Sequence, residues 1–410
     1  VAMPDGSIVL MGGYDGGVKN DVWRIMPAGS SDQNPSHTYT MPGTYSVALQ
    51  AFNAGGYNST RKTGYIQVSS AGWDGTTCTV ITTPGTYRML GDIQGTPGIT
   101  CIEIRSSDVT FEGNGHTLNG TLDNLGMRVS ASPAVISNVS VRNLTISNWD
   151  SGIDYENVTG GAIDNTTVLF SETMGVTLGT SSSVVLTNVN ASLNWVGIGV
   201  IEGSDYNTLT HVTASRNDAV GLWFYAARNN EVKSGTFDQN NGPGVSLDGQ
   251  SNNNTLSGNT ANFNSHGIFI EANGNGFPSS YPVGPSNNNT IVGNIARNNT
   301  ESGLYLVESA NNNRITGNTF TNNRIGVHFN ATAGSISGNI ISNNNASSNN
   351  YHGILFSNAT GNTLTANNVT ANGNNGIFLF NKSRGNFLSD NIAALNGIDG
   401  FVVKTSRCNN

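Results

Sequence analysis

The sequence predicts an all-β solenoid, a parallel β-helix of about 12 coils of roughly 23 residues, preceded by a small β module. Three observations lead there. Asparagine-rich phrases recur, as in "SNNNTLSGNTANFNSHGIFIEANG" from Ser251 and "ANNNRITGNTFTNNRIGVHFNATAG" from Ala310. A glycine closes each run, at Gly152, Gly175, Gly197, Gly221, Gly244, Gly267, Gly303, Gly326, Gly353, Gly376 and Gly400. A short alternation follows each glycine, as in "IFIE" from Ile268 and "LYLV" from Leu304, with its first and third members apolar.

Alternation of period two is the mark of a strand with one buried face. The pieces are too short and too β-branched for helical repeats. A single coil cannot bury its face alone, so the units fold as a stacked column. Like residues then repeat every ~4.8 Å, the spacing between strands. Asn259, Asn294, Asn318, Asn339, Asn367 and Asn391 read as one such column, their amides bonded to the coils above and below. The glycine column reads as positions of positive φ where the chain turns. Both columns are architecture first.

Two zones precede the repeat. Residues 1 to about 27 hold two strand-like runs, and Tyr45, Val47 and Leu49 alternate within a half-buried hairpin over 34–68. The expected boundaries are therefore 1–70 for the small module and 71–410 for the solenoid.

Composition narrows function. Charged residues are 11% of the chain and the net charge is −8, which argues against nucleic acid. No apolar run is long enough to span a membrane. The chain lacks an initiating Met and a signal peptide, as a processed or excised segment would. About fifteen N-x-S/T sequons permit glycosylation and fit an extracellular setting. Of the three cysteines, Cys78 and Cys101 lie about one repeat apart, placed to bond across coils or to remain two buried thiols.

The stretch from about Ser107 to Lys404, opening on "DVTFEGNGHTLNGT", resembles the right-handed parallel β-helix proteins of the NosD-like and pectate-lyase-like superfamily. "HTYTMPGTYSVALQAFNAGG" from His37 resembles the last strands of a PKD domain, and "MPDGSIVLMGGYDGGVKNDVW" from Met3 is similar to one Kelch-type blade. Such a combination implies a secreted or cell-surface protein, with an archaeal source as one setting. The resemblance implies polysaccharide chemistry in a groove along an outer face.

The outward positions are the second and fourth after each column glycine. There Trp223, Tyr225, Phe269, Tyr305 and His328 form an expected substrate-binding strip, and Asp248 and Glu271 an expected catalytic carboxylate pair on adjacent coils. His266, in "SHG", is a candidate general base. An insertion beginning at Asn273 is placed to wall the groove. Asp150, Asp154 and Glu156 form a second acidic cluster, either a cation site or solvated surface. No metal motif or complete catalytic motif of a known lyase, hydrolase or epimerase is present, so no cofactor is expected, calcium being the one without a motif to argue for it. The alternative function is a structural or adhesive envelope protein, self-associating through an uncapped last coil.

Overall fold

The computed structural model of the protein describes residues 8–14, 18–25, 37, 43–53, 56–68, 73–272, 284–332 and 334–404. Every regular element among them is a β-strand. The chain divides into two compact units, Val1–Asp74 with Gly85–Tyr87, and Gly75–Pro84 with Arg88–Asn410.

In the first unit Ile8–Tyr14 pairs antiparallel with Val18–Ile25, and Gly43–Asn53 with Gly56–Val68. Alternation predicts half-burial for the second hairpin, but Val47 and Leu49 are 36% and 64% exposed. Periodicity reports which residues share a face, not whether anything covers that face.

The second unit is a parallel solenoid. One sheet of 14 strands runs from Thr79–Ile81 to Phe401–Lys404, and a second sheet has 16 strands. Their inner faces meet in columns. Leu222, Val245, Ile268, Leu304 and Val327 stack in register in the first sheet. Leu209, Val232, Leu256, Ile291 and Ile315 do so in the second. All ten are at most 1% exposed, and each such side chain is worth roughly 1.5–3 kcal/mol of burial. Phe329 stacks on Phe356 in the same core, with ring centroids 4.4 Å apart.

Three details depart from expectation. First, the 14-stranded sheet exceeds the expected 12 coils because early coils lack the glycine signal. Thr79 pairs with Ile102 and Ile102 with Met127, so Cys78, Cys101 and Gly126 share one column. Cys78 and Cys101 are joined by a disulfide there, with Cα atoms 4.4 Å apart.

Second, the column glycines from Gly152 onward do not have positive φ. Their reason is close approach. A Cβ on Gly197 would sit 2.5 Å from the Gly221 carbonyl oxygen and 2.7 Å from that of Ala191. Backbones of successive coils leave no space for a side chain at this corner.

Third, Asn339 does not belong with the other five asparagines. The ladder runs Asn259, Asn294, Asn318, Asn344, Asn367, Asn391, each backbone N–H donating to the next Oδ1 at 2.8–3.0 Å. Asn339 lies in a parallel ladder between Asn313 and Asn362. The step from Asn318 to Asn344 is 26 residues and Asn339 lies only 21 beyond Asn318, so the "SGN" at 337–339 falls five residues short of the ladder of the "TGN" at 316–318. Left-handed φ is carried instead by the residue before each ladder asparagine, such as Gly317 (66°), Asn343 (55°) and Ala366 (54°).

The last coil leaves Leu395 89%, Ile398 65% and Phe387 61% exposed. Cys408 and the insertion at 273–283 lie outside the described residues.

Candidate functional site

Alternation sends Leu222 and Phe224 into the core and Trp223 and Tyr225 out of it. Coil pairing then stacks Trp223, Ser246, Phe269, Tyr305 and His328 in one outward column. Tyr225 pairs with Asp248 in the other column. The Glu271 N–H donates to the Leu247 carbonyl at 3.0 Å, which continues the pairing and puts Glu271 after Asp248 in that column. The two expected carboxylates thus occupy successive coils on one flank.

This part of the flank is covered. Trp223 is 5% exposed, Tyr225 4%, Asp248 8% and Glu271 2%. Trp223 and Tyr225 pack with Val196 and Ala226 into a small apolar cluster outside the sheet, and Met174, Ile201, Ala219 and Val220 lie against it. The expected open aromatic surface is therefore not formed by Trp223 and Tyr225. The two rings are buried because these apolar side chains from neighbouring coils and turns pack against them.

Burial governs the acids. Asp248 is pushed up to about 6 by loss of solvent, against two hydrogen bonds that favour its charged form. Ser246 Oγ donates to Oδ1 at 2.7 Å, and Trp223 Nε1 donates to Oδ2 at 2.8 Å. Glu271 is pushed higher, to about 8, by burial first and then by the charges of Asp248 and Glu308. Burial and the Asp248 charge also raise the Tyr225 phenol.

Further along, Phe269, Tyr305 and His328 are half-buried. Tyr305 stacks on His266 at 4.9 Å, on Phe269 at 5.4 Å and on His328 at 4.7 Å between ring centroids. Stacking along the column uses the ring faces, so this strip offers ring edges and polar atoms to the outside. The flat platform expected for sugar stacking is not what this arrangement provides. Asn330 Nδ2 donates to the Tyr305 hydroxyl at 3.0 Å. The His266 Nδ1 is buried without a hydrogen-bond partner. Burial drives the His266 and His328 imidazoles down to about 4, so both are neutral at physiological pH.

His352, not among the expected site residues, also faces this flank. It shares a column with His266 through Ser302 and Ile325, and its Nδ1 accepts the Asn375 N–H at 3.3 Å. The signal for it was present: "YHG" puts His352 before a column glycine as "SHG" does His266.

The second acidic cluster is split. Glu156 is ion-paired with Arg128 and accepts from Ser130 Oγ at 3.2 Å. Asp154 pairs in register with Arg128 and is pushed up to about 6, chiefly by burial. Arg128 occupies the place a cation would take. Asp150 sits in the preceding turn, its carbonyl accepting from Thr173.

Two family descriptions match the chain: "Right handed beta helix region" over residues 134–281, and "Periplasmic copper-binding protein (NosD)" over residues 250–410. No curated protein matches significantly. Among solved structures, the Dettilon tailspike protein gp208 is similar at 15% identity and TM-score 0.45, over 80% of this chain and 62% of that one. The A-module of the Azotobacter vinelandii mannuronan C-5 epimerase AlgE6 is similar at 14% identity and TM-score 0.44, over 79% of this chain and 88% of that one. The catalytic unit of the GH87 α-1,3-glucanase of Streptomyces thermodiastaticus is similar at 16% identity and TM-score 0.47, over 80% of this chain and 64% of that one. The chain spans less than two thirds of the tailspike and of the glucanase.

The copper of the second family description does not fit the donor set here. Among the described residues no group of three or more His, Cys, Asp or Glu side chains converges on a point. Cys78 and Cys101 are consumed in their disulfide, His266 is stacked on Phe269 and Tyr305, and His328 is stacked on Tyr305.

Proposed function

We propose that this right-handed parallel β-helix repeat protein binds a polysaccharide along the outer flank of its 14-stranded sheet, in an extracellular or envelope setting. The observation that carries the reading is the junction of two features in adjacent columns. The Asp248–Glu271 carboxyl pair lies directly beside the half-buried strip of Phe269, Tyr305 and His328. Hydroxyl, imidazole and carboxyl groups repeat there at the coil step of about 4.8 Å, a length comparable to one hexose.

The carboxyl pair is also suited to cleaving a glycosidic bond. Near neutral pH Glu271 holds its proton while Asp248, bonded to Trp223 and Ser246, is the more readily ionised partner. Glu271 then protonates the leaving oxygen as the C–O bond breaks. Asp248 attacks the anomeric carbon as that bond breaks, and a water deprotonated by Glu271 then displaces the Asp248 oxygen from the sugar, which restores both acids. The burial of both carboxyls favours a second reading, adhesion to the glycan without turnover.

The test is calorimetric titration of a polysaccharide panel into the wild type and Tyr305→Ala, with product analysis alongside. The reading expects at least one ligand, and binding about tenfold weaker in the variant with its far-UV circular dichroism unchanged. Absence of binding across the panel, or equal binding by the variant, refutes the site. Product from the wild type and none from Glu271→Gln separates catalysis from adhesion.

A further inference from the structure

We infer that the glycan taken by this flank is uncharged, and that a polyuronate is excluded; the inference rests on the glycan reading above and specifies its ligand. The observation is a run of one charge sign. Among the described residues, neither outward column carries a lysine or arginine between Arg128 and Lys404. Over the same length the columns carry Asp154, Glu156, Asp248 and Glu271. Glu202 and Glu308 follow directly on the column residues Ile201 and Val307.

Three of the cations bordering this stretch are already engaged, and a fourth, Lys382, lies near its far end, two residues beyond the column residue Phe380. Arg128 is paired with Glu156. Arg324, in the turn before its strand, is paired with Glu301 at 2.7 Å. Arg228, in the turn beyond the strand, donates to Gln250 Oε1 at 3.0 Å. The imidazoles facing the flank add no compensating charge, since burial holds His266, His328 and His352 below their ordinary range.

A uronate chain brings one carboxylate per sugar. Laid along this flank, its carboxylates would meet the ionised Asp154 and Asp248 at reduced dielectric, with no lysine or arginine in either column between Arg128 and Lys404 to receive them. Bound like charges repel, and the repulsion grows as water is expelled from the contact. An uncharged chain has hydroxyls that donate to the Asp248 carboxylate and accept from Tyr305, a neutral imidazole or the protonated Glu271. The consequence for chemistry is selective. β-Elimination and C5 epimerisation both begin by removing a proton next to a uronate carboxylate, whose developing charge requires a positive neighbour. Hydrolysis of a neutral glycan makes no such demand.

The experiment uses ligand pairs that share a backbone and differ only in charge: polygalacturonate and its full methyl ester, cello-oligosaccharides and their C6-oxidised forms, and manno-oligosaccharides and oligomannuronates. Affinities are measured by calorimetry on the wild-type protein at low salt. The inference expects an uncharged member to bind and its charged counterpart to bind at least about tenfold more weakly. It further expects Val307→Lys, which adds an ammonium group to the outward column, to narrow that gap. A charged member binding as tightly as its uncharged counterpart, or more tightly, overturns the inference while leaving the glycan site standing. No binding by any member overturns the glycan reading and this inference with it.

Discussion

The indole Nε1–H of Trp223 donates to Oδ2 of Asp248 at 2.8 Å, across one coil step and under a layer that leaves both residues less than 10% exposed. The bond ties the apolar cluster outside the sheet to the carboxyl pair beside it. Trp223→Phe keeps an aromatic ring but removes the donor and part of the ring volume. The buried carboxylate is left one partner short, and the cost of the smaller ring is the same at every pH. The expected loss is about 1–3 kcal/mol at pH 8, where Asp248 is ionised, and less at pH 5, where it is largely protonated. Denaturant melts at the two pH values measure it; an equal loss at both refutes the role of the charge.

Both acids of the pair have folded-state pKa values above their ordinary ones, about 6 for Asp248 and about 8 for Glu271. In the window between the ordinary and raised values the folded chain binds more protons than the unfolded chain. Stability therefore falls as pH rises through that window, by up to about 1.4 kcal/mol per pH unit for each group. Glu271→Gln mimics the protonated acid. It is expected to match the wild type near pH 5 and to exceed it in stability at pH 8–9, as read from thermal or denaturant midpoints. A wild type whose stability is flat from pH 5 to 9 contradicts the burial argument.

The close approach of coils at the glycine corner predicts that even alanine is poorly tolerated there. In Gly197→Ala the new Cβ meets backbone oxygens at 2.5 and 2.7 Å, so coils must separate, at a cost of about 1–3 kcal/mol. Gly361 is the control. Its φ is 65° and nothing lies within 4 Å of an added Cβ, so Gly361→Asn is expected to change stability by less than about 0.5 kcal/mol. Equal effects of the two changes on the unfolding midpoint contradict the distinction between space and φ.

The ladder predicts a similar contrast among asparagines. Asn318 donates to the Ile291 carbonyl and to Asn344 Oδ1, and accepts from the backbone and side chain of Asn294. Asn318→Ala leaves several of these groups buried and unpaired, with an expected loss of at least about 3 kcal/mol. Asn368 is exposed and its amide has a single long bond, 3.3 Å, to Asn345. Asn368→Ala is expected to cost under about 1 kcal/mol. Denaturation of both variants decides whether ladder membership, rather than asparagine content, carries the stability.

The stacked coils were legible from periodicity because burial on one face forces period two, and stacking forces repetition of the corner. What periodicity could not carry was the local reason for each conserved slot within the repeat. Glycine for space and glycine for φ look alike in a string of letters, and "SGN" at 337–339 imitates "TGN" at 316–318 although it lies five residues before that ladder, in the ladder of Asn313. Cys78 and Cys101 hid two coils by filling the glycine column with a disulfide. At the site, the outward assignment of Trp223, Asp248 and Glu271 follows from alternation alone. The burial of Trp223 does not, because it depends on Met174, Val196 and Ala219 from other coils and turns packing against its ring.

The most direct test of the glycan-binding flank is a crystal structure with a neutral oligosaccharide bound at saturating concentration. The account predicts sugar density along the 14-stranded sheet, with hydroxyls in hydrogen-bond reach of Tyr305, His328 or the Asp248–Glu271 pair. Density on the 16-stranded sheet, or on the turns with this flank bare, contradicts it.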